Sequence, residues 1–504
     1  MRTIEIMDTS LRDGEQTSGV AFTSSEKLNI AKFLLEEVKV DRIEVASARI
    51  SKGEFQGVQN IVNWATQNNH LHKVEILGFV DKGKSLDWIN KAGAKVVNLL
   101  CKGSKKHLEG QLKKTLEQHV SDIKEAVEQA TKLGIEANLY LEDWSNGMRD
   151  SEEYVLALLN ALKDTKIKRF MLPDTLGTLN PEECFDYYTK MVSHFPDLHF
   201  DSHLHNDYDL AIGNTFYALK AGVKGIHTTV NGLGERAGNT PLASAVALIE
   251  DQFTDLNCNV TEGKLNQISR LVEAFSGVHI PHNKPVVGDN VFTQACGVHA
   301  DGDNKGGLYF NKLMPERFGR TREYALGKTS GKASIQKNLE ELGIVLSAEN
   351  MQKVTERVVE LGDKKELITK EDLPFIISDV LGSEMTEEKV KLLNYYSTHV
   401  HNLRPVTTIK IEIDGQVFEE TATGDGQYDA FMRAMKNIYA ELGKELPILK
   451  NYKISIPPGG RTDALVETVI TWELNGKEFK TRGLESDQQA AAITATVKML
   501  NSQQ

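Results

Sequence analysis

The chain has 504 residues, 40% of them hydrophobic and 26% charged, with a formal net charge of −12 at pH 7. That length exceeds a single hydrophobic core and predicts two or three domains, while the acidic balance excludes a basic nucleic-acid-binding surface. The N-terminus has no apolar signal core and no apolar run approaches membrane-spanning length. Cys101, Cys184, Cys258 and Cys296 lack CxxC or disulfide-framework spacing, so a cytoplasmic protein with reduced thiols and no nucleic-acid or membrane partner is expected.

Ile4 and Ile6, alternating with Glu5, predict a short buried strand over 3–8. It leads into Leu11-Arg12-Asp13-Gly14-Glu15-Gln16. A carboxylate beside a guanidinium at a strand end offers a hard ligand for a divalent cation and a cationic clamp for an oxyanion. Alone, such a dipeptide is no more than a surface ion pair. His203-Leu204-His205-Asn206-Asp207 changes its meaning. Histidines at i and i+2 of a strand face the same side, so His203 and His205 can grip one ion with Asp13 as a third ligand.

Between these motifs, short apolar strands alternate with amphipathic helices. Strands are predicted over 3–8, 41–47, 73–79, 96–101, 136–143, 169–175, 199–205 and 225–231, and helices over 24–38, 109–132, 151–163, 181–193 and 209–221. Val-, Ile- and Leu-rich strands followed by helices imply a parallel sheet with right-handed crossovers. Eight such units in about 250 residues is the count and length of a TIM (β/α)8 barrel. A doubly wound open sheet is the alternative, and the lack of a glycine-rich dinucleotide loop after the first strand counts against it. A barrel places its chemistry at the C-terminal strand ends. Arg12 and Asp13 follow strand one, Glu142 and Asp143 end strand five, Asp174 and Thr175 end strand six, and the His pair ends strand seven. Strand eight runs into a glycine-rich loop carrying Asn239, whose carboxamide is a candidate fourth ligand.

After the barrel (1–277) comes an irregular segment, 278–330, with Gly297-Val298-His299-Ala300-Asp301-Gly302 at its centre and Tyr309 nearby. A stretch this dense in titratable groups is expected to contribute to the site. Residues 331–395 read as a helical linker, with helices over 333–342, 348–361 and 370–381. Residues 396–504 then change to an α+β pattern: strands over 406–414, 416–422, 451–456, 464–474 and 477–483, and helices over 427–442 and 487–501. Gly415 leading to Asp425 and a helix is matched by Gly476 leading to Asp487 and a helix, a weak duplication that predicts a pseudo-twofold module. It holds no catalytic cluster, so a regulatory or dimerising role is expected.

The opening motif with Lys27, together with His203-x-His205-Asn-Asp207, resembles the two signatures of the 2-isopropylmalate, homocitrate and citramalate synthase family. The resemblance runs essentially end to end, and the C-terminal module is similar to that family's allosteric domain. Asp209 departs from the family, most members of which have Gly there. Tyr140-Leu-Glu-Asp-Trp-Ser-Asn-Gly147 and Gly426-Gln-Tyr-Asp-Ala430 point to the branch that takes pyruvate.

The resemblance implies a Claisen-type condensation of acetyl-CoA with a 2-oxo acid, then thioester hydrolysis. It implies a divalent ion (Mg2+, Mn2+ or Zn2+) on Asp13, His203, His205 and Asn239, with Arg12 stabilising the alkoxide and Thr175 binding the substrate carboxylate. Glu142 and His299 are the implied bases, with Asp301 orienting the imidazole and Tyr309 nearby. Since 278–330 follows barrel closure, His299 is a candidate to serve a partner's site in a homodimer. Leu77, Leu100 and Tyr140 are the implied pocket residues. Being apolar or aromatic they disfavour the second carboxylate of 2-oxoglutarate, and their bulk disfavours 2-oxoisovalerate, leaving pyruvate. A 2-isopropylmalate synthase is the nearest alternative. Hydroxymethylglutaryl-CoA lyases share the opening motif and the barrel but not the C-terminal module. In that module Tyr428 and Asp429, with Asp487 and Gln488 at the matching helix start, are the candidate isoleucine-binding residues, Asp429 for the ammonium and the second helix N-terminus for the carboxylate.

Overall fold

The computed structural model describes residues 1–47, 51–363, 368, 370–381, 389–398, 403–455, 466–474 and 477–501. Eight parallel strands close a barrel: β1 (Glu5–Asp8), β2 (Arg42–Ser47), β3 (Val74–Phe79), β4 (Val96–Lys102), β5 (Glu136–Glu142), β6 (Ile167–Asp174), β7 (Phe200–Leu204) and β8 (Gly225–Thr228). Closure is made by β1 against β8, in register from Glu5↔Gly225 to Asp8↔Thr228. The helices pack their apolar stripes on the outside of the strands, forming one continuous core that includes Val45, Ile61, Ile89, Leu139 and Leu158. A second, separate cluster of Met7, Leu77, Tyr140 and Met171, with Leu100 against it, lies on β1, β3, β5, β6 and β4. The register sets Leu100 beside Tyr140 and Tyr140 beside Met171, so these side chains share one layer on the strands.

Several boundaries differ from expectation for local reasons. β8 stops at Thr228, because Val230–Gly232 tighten into a 3-10 turn with Asn231 left-handed (φ 59). The helix expected from 109 starts at Leu116, behind a capping box in which Thr115 and Gln118 satisfy each other's backbone N–H. The helix expected from 151 extends back to Trp144, with a kink at Ser151 (φ −154, ψ 48). Two short parallel strands outside the barrel, Arg2–Thr3 and Leu256–Asn257, tie the chain start to the end of the last crossover. Among the described residues no helix is long and apolar enough to cross a membrane. All four cysteines are free.

The chain divides into two compact units, Met1–Phe292 with Phe310–Arg322, and Thr293–Tyr309 with Glu323–Gln504. The stretch 278–330, expected as one linker, is therefore shared between them. The second unit opens with a two-residue strand, Thr293–Gln294, paired with Glu323–Tyr324, followed by a short helix, Gly297–Asn304. Its helices Lys332–Glu341, Ala348–Asp363 and Leu373–Leu381 surround a small core that includes Ile335, Val354, Val358 and Leu373.

The terminal module is two βββα halves. Val390–Thr398, Val406–Ile413 and Gln416–Thr423 precede the helix Gln427–Glu441; Ile448–Ser455, Val466–Leu474 and Lys477–Glu485 precede the helix Gln488–Asn501. The expected duplication thus includes a strand the sequence did not reveal, Val390–Thr398, which begins inside the stretch expected to close the helical linker. Its register shifts between Leu392 and Asn394, as that of its counterpart does between Leu449 and Asn451. A bulge breaks the alternation by which a strand is recognised. Gly476, Ile456 and positions 464–465, named among the expected strands and turns, lie outside the described residues.

Candidate active site

The turn after β1 folds on its own backbone: the N–H groups of Arg12, Asp13 and Gly14 all point at the Thr9 carbonyl. This presents Arg12 and Asp13 at the C-terminal rim. Asp13 meets there His203 of β7 and His205, one residue beyond the end of that strand. His203 Nε2 lies 3.4 Å and His205 Nε2 4.0 Å from Asp13 Oδ2, and the two Nε2 atoms are 3.3 Å apart. All three side chains are buried, and together they form a group able to hold a metal ion.

Metal bonds of about 2.1 Å at tetrahedral or octahedral angles set ligand atoms about 3.0–3.4 Å apart, which is the spacing between His203 and its two neighbours. Asn239 donates its Nδ2 to Asp13 Oδ1 at 2.8 Å and to the Leu233 carbonyl at 3.1 Å, leaving Oδ1 buried with no hydrogen-bond partner. An oxygen stripped of water with both amide hydrogens used elsewhere suits a cation. The residues fit a divalent metal with this N, N, O, O donor set. Gly234 (φ +151) passes so near that a Cβ there would overlap the Asn239 amide and press on Asp13, so the glycine-rich loop is a requirement of the site.

Arg12 is held on three sides. Its Nη1 donates to Asp13 Oδ2 at 2.7 Å, its Nε to Glu44 Oε2 at 2.6 Å, and its Nη2 to the Tyr140 hydroxyl at 3.1 Å. Burial would raise the Asp13 pKa, but the Arg12 guanidinium and the two imidazoles hold it well below the usual carboxylate range. Glu44 is likewise lowered against its burial, chiefly by Arg12. Burial moves both ligand imidazoles the other way: His203 is lowered, and His205 is pushed down to about 4. Burial thus favours the neutral rings, the form that coordinates metals. Burial also lifts Tyr140 well above its ordinary value, so its hydroxyl remains a phenol.

The other candidate residues, Thr175 and Glu142 in the first unit and His299 and Asp301 in the second, take definite places within their own units. Thr175 accepts the Asp143 N–H on Oγ1 at 2.9 Å and keeps its own hydroxyl hydrogen to donate. Glu142 ends β5 in an ion pair with Lys102, the last residue of β4. His299 donates Nδ1–H to Gln294 Oε1 at 3.0 Å and stacks on Tyr309 with ring centroids 4.2 Å apart. The expectation that Asp301 orients this imidazole is corrected: Asp301 pairs with Lys305 at 2.6 Å, one helical turn on. Gln294 takes the orienting role.

In the terminal module, the Tyr428 hydroxyl bonds Thr496 Oγ1 at 2.7 Å and its ring packs near Phe431 and Tyr452. Asp429 pairs with Arg433 at 2.9 Å and accepts the Asp425 N–H. Asp487 is a helix cap: its Oδ1 accepts the N–H groups of Gln489 and Ala490. Those are the donors expected to receive a ligand carboxylate at Gln488, so that part of the expectation is corrected as well.

Four residues of the network around the candidate site escape a reading of the sequence alone: Glu44, Lys102, Asp201 and His227. All are buried at strand positions. The available signal was a charged or imidazole side chain interrupting an apolar run, as in Arg42-Ile-Glu44-Val and Gly225-Ile-His227-Thr.

Residues 3–272 match the HMGL-like family, 286–366 the homocitrate synthase post-HMGL domain-like family, and 367–504 the LeuA allosteric (dimerisation) domain. A probable 2-isopropylmalate synthase of Methanopyrus kandleri is 34% identical over 99% of this chain and 98% of its own length. A putative (R)-citramalate synthase of Archaeoglobus fulgidus is 33% identical over 99% of both. The (R)-citramalate synthase of Methanocaldococcus jannaschii is 32% identical, again over 99% of both.

Proposed function

The chain belongs to the 2-isopropylmalate and (R)-citramalate synthase family, and from that premise we propose that it is an (R)-citramalate synthase. It condenses acetyl-CoA with pyruvate: the acetyl methyl loses a proton, its carbon attacks the ketone carbon, and the ketone oxygen becomes a hydroxyl. Water then cleaves the thioester, giving (R)-citramalate and coenzyme A. This would be the first step of the pyruvate route to isoleucine. The enzyme works as a homodimer and is inhibited by isoleucine through its terminal module.

Asp13, His203, His205 and Asn239 would hold the divalent ion, which supplies Lewis acidity toward the 2-oxo acid when bound. Arg12 stabilises the negative charge that grows on the former ketone oxygen, and it is pre-aimed by Glu44, Asp13 and Tyr140. Thr175 donates its hydroxyl hydrogen to the substrate carboxylate. Glu142 takes the methyl proton, with Lys102 at its side. His299 is the second base: donation of Nδ1–H to Gln294 leaves its Nε2 lone pair available.

The observation that carries pyruvate over 2-oxoisovalerate is the separate layer of Met7, Leu77, Leu100, Tyr140 and Met171, tied to Arg12 through the Tyr140 hydroxyl. With the 2-oxo acid held beside Arg12, that layer would fill space which an isopropyl group needs. A panel of 2-oxo acids with acetyl-CoA, followed by thiol release, tests it. Pyruvate should give the highest kcat/KM. A larger value for 2-oxoisovalerate would make the chain a 2-isopropylmalate synthase.

The same layer predicts the effect of trimming it. Leu100→Ala should raise kcat/KM for 2-oxobutanoate relative to pyruvate by about tenfold, since a methylene in an apolar pocket is worth about 1–3 kcal/mol. An unchanged ratio would remove Leu100 from the pocket.

A further inference from the structure

His203 has a second nitrogen, and it too is engaged. On the far side from Asp13, His203 Nδ1 lies 3.3 Å from Nδ1 of His227 on β8. Two imidazole nitrogens at hydrogen-bond distance require one to donate and the other to accept. What decides between them is the next residue inward. His227 Nε2 lies 3.2 Å from Asp201 Oδ2, and the same oxygen takes Arg42 Nη2 at 2.7 Å while Oδ1 faces His199 Nε2 at 2.8 Å. A carboxylate paired with a guanidinium only accepts, so His227 must carry its hydrogen on Nε2. Its Nδ1 is then a lone pair, and His203 must donate Nδ1–H to it. The Tyr140 hydroxyl, 3.0 Å from the same His227 nitrogen, accepts from Arg12 Nη2 and donates its hydrogen to Glu44 Oε2 at 3.4 Å, which leaves the single lone pair of His227 Nδ1 to His203. His205, by contrast, has a buried Nδ1 with no partner.

We infer that His227 is a positioning residue, set by Asp201, which fixes His203 in the tautomer that turns a bare Nε2 toward Asp13 and His205. The inference rests on the reading of those three side chains as metal ligands. It assigns the chain Asp201–His227–His203 a task that packing alone does not require: to decide which nitrogen of a ligand is free to coordinate.

The test is Mn2+ titration of the full-length protein, reading the free ion by its electron paramagnetic resonance. His227→Phe keeps the ring volume but removes the acceptor, and should raise the Mn2+ dissociation constant about 10–100-fold, whereas His227→Asn, with an acceptor oxygen near the Nδ1 position, should stay within about threefold of the parent. His227→Gln, whose longer side chain carries its amide past the Nδ1 position toward Asp201, should weaken binding as Phe does and serves in its place if the apolar variant misfolds. Parental affinity in the folded Phe or Gln variant overturns the inference, as does equal weakening in Asn. Asp13→Ala separates the two levels. If it loses Mn2+ while His227→Phe does not, only the role of His227 fails. If the parent itself binds no Mn2+, the ligand assignment fails with it.

Discussion

Asp13→Ala or His203→Ala is expected to lower turnover by more than about a thousandfold while the chain stays folded, a barrier increase of about 4 kcal/mol or more. Under the proposed mechanism Asp13 does two jobs at once, as a metal ligand and as the carboxylate that holds Arg12 Nη1. Its loss should weaken metal binding and loosen the clamp on the developing oxyanion together. Folding should survive, because Arg12 keeps Glu44 and Tyr140 as partners and the continuous core around the strands does not include Asp13. Arg12→Lys separates the two jobs. An ammonium has no planar fork to satisfy Glu44, Asp13 and Tyr140 simultaneously, so kcat should fall by about 10²–10³ with a smaller change in the KM for pyruvate. Assays run in metal-limited buffer, with circular dichroism as the fold control, decide the matter. Full activity of either alanine variant there would remove Asp13 and His203 from the site.

How much of this arrangement the sequence discloses depends on how local each constraint is. The eight barrel strands are legible because each is a short apolar run whose side chains are buried on the barrel, β2 along its whole length. The His203 and His205 pair is legible because the period of a strand fixes their common face. Arg12 and Asp13 are legible because the turn after β1 closes within a few residues. Glu44, Asp201 and His227 are not, since their meaning depends on partners that arrive only when the barrel closes: Arg12 for Glu44, Arg42 for Asp201, His203 for His227. Asp301 and Asp487 fail for the opposite reason. Each has a nearer claim on its carboxylate, Lys305 one helical turn away and the backbone at a helix start, and local chemistry prevails over a remote role when both are available.

Ending the chain before Lys389 is expected to abolish inhibition by isoleucine while leaving citramalate synthesis measurable. This cut removes both βββα halves together, including Val390–Thr398, whose pairing with Val406–Ile413 makes it part of the module. The barrel has its own core and its own candidate ligand set, so activity should survive the cut, at a lower level where the module holds the homodimer together. Within the module, Tyr428 is the residue whose replacement should matter most. Its hydroxyl spans from the first helix to Thr496 on the second, and its ring reaches Tyr452 in the second sheet, so it links the duplicated halves. Tyr428→Leu breaks that link without touching the barrel, and the isoleucine concentration for half inhibition should rise about tenfold, an expected loss of about 1.4 kcal/mol of coupling, with pyruvate KM unchanged. Reciprocity supplies an independent check, for if isoleucine weakens substrate binding, then pyruvate must weaken isoleucine binding by the same factor. Calorimetric titration of isoleucine with and without pyruvate measures that factor directly. Binding of leucine in place of isoleucine would overturn the assigned inhibitor, and a truncated chain that isoleucine still inhibits would place the regulatory site outside the module.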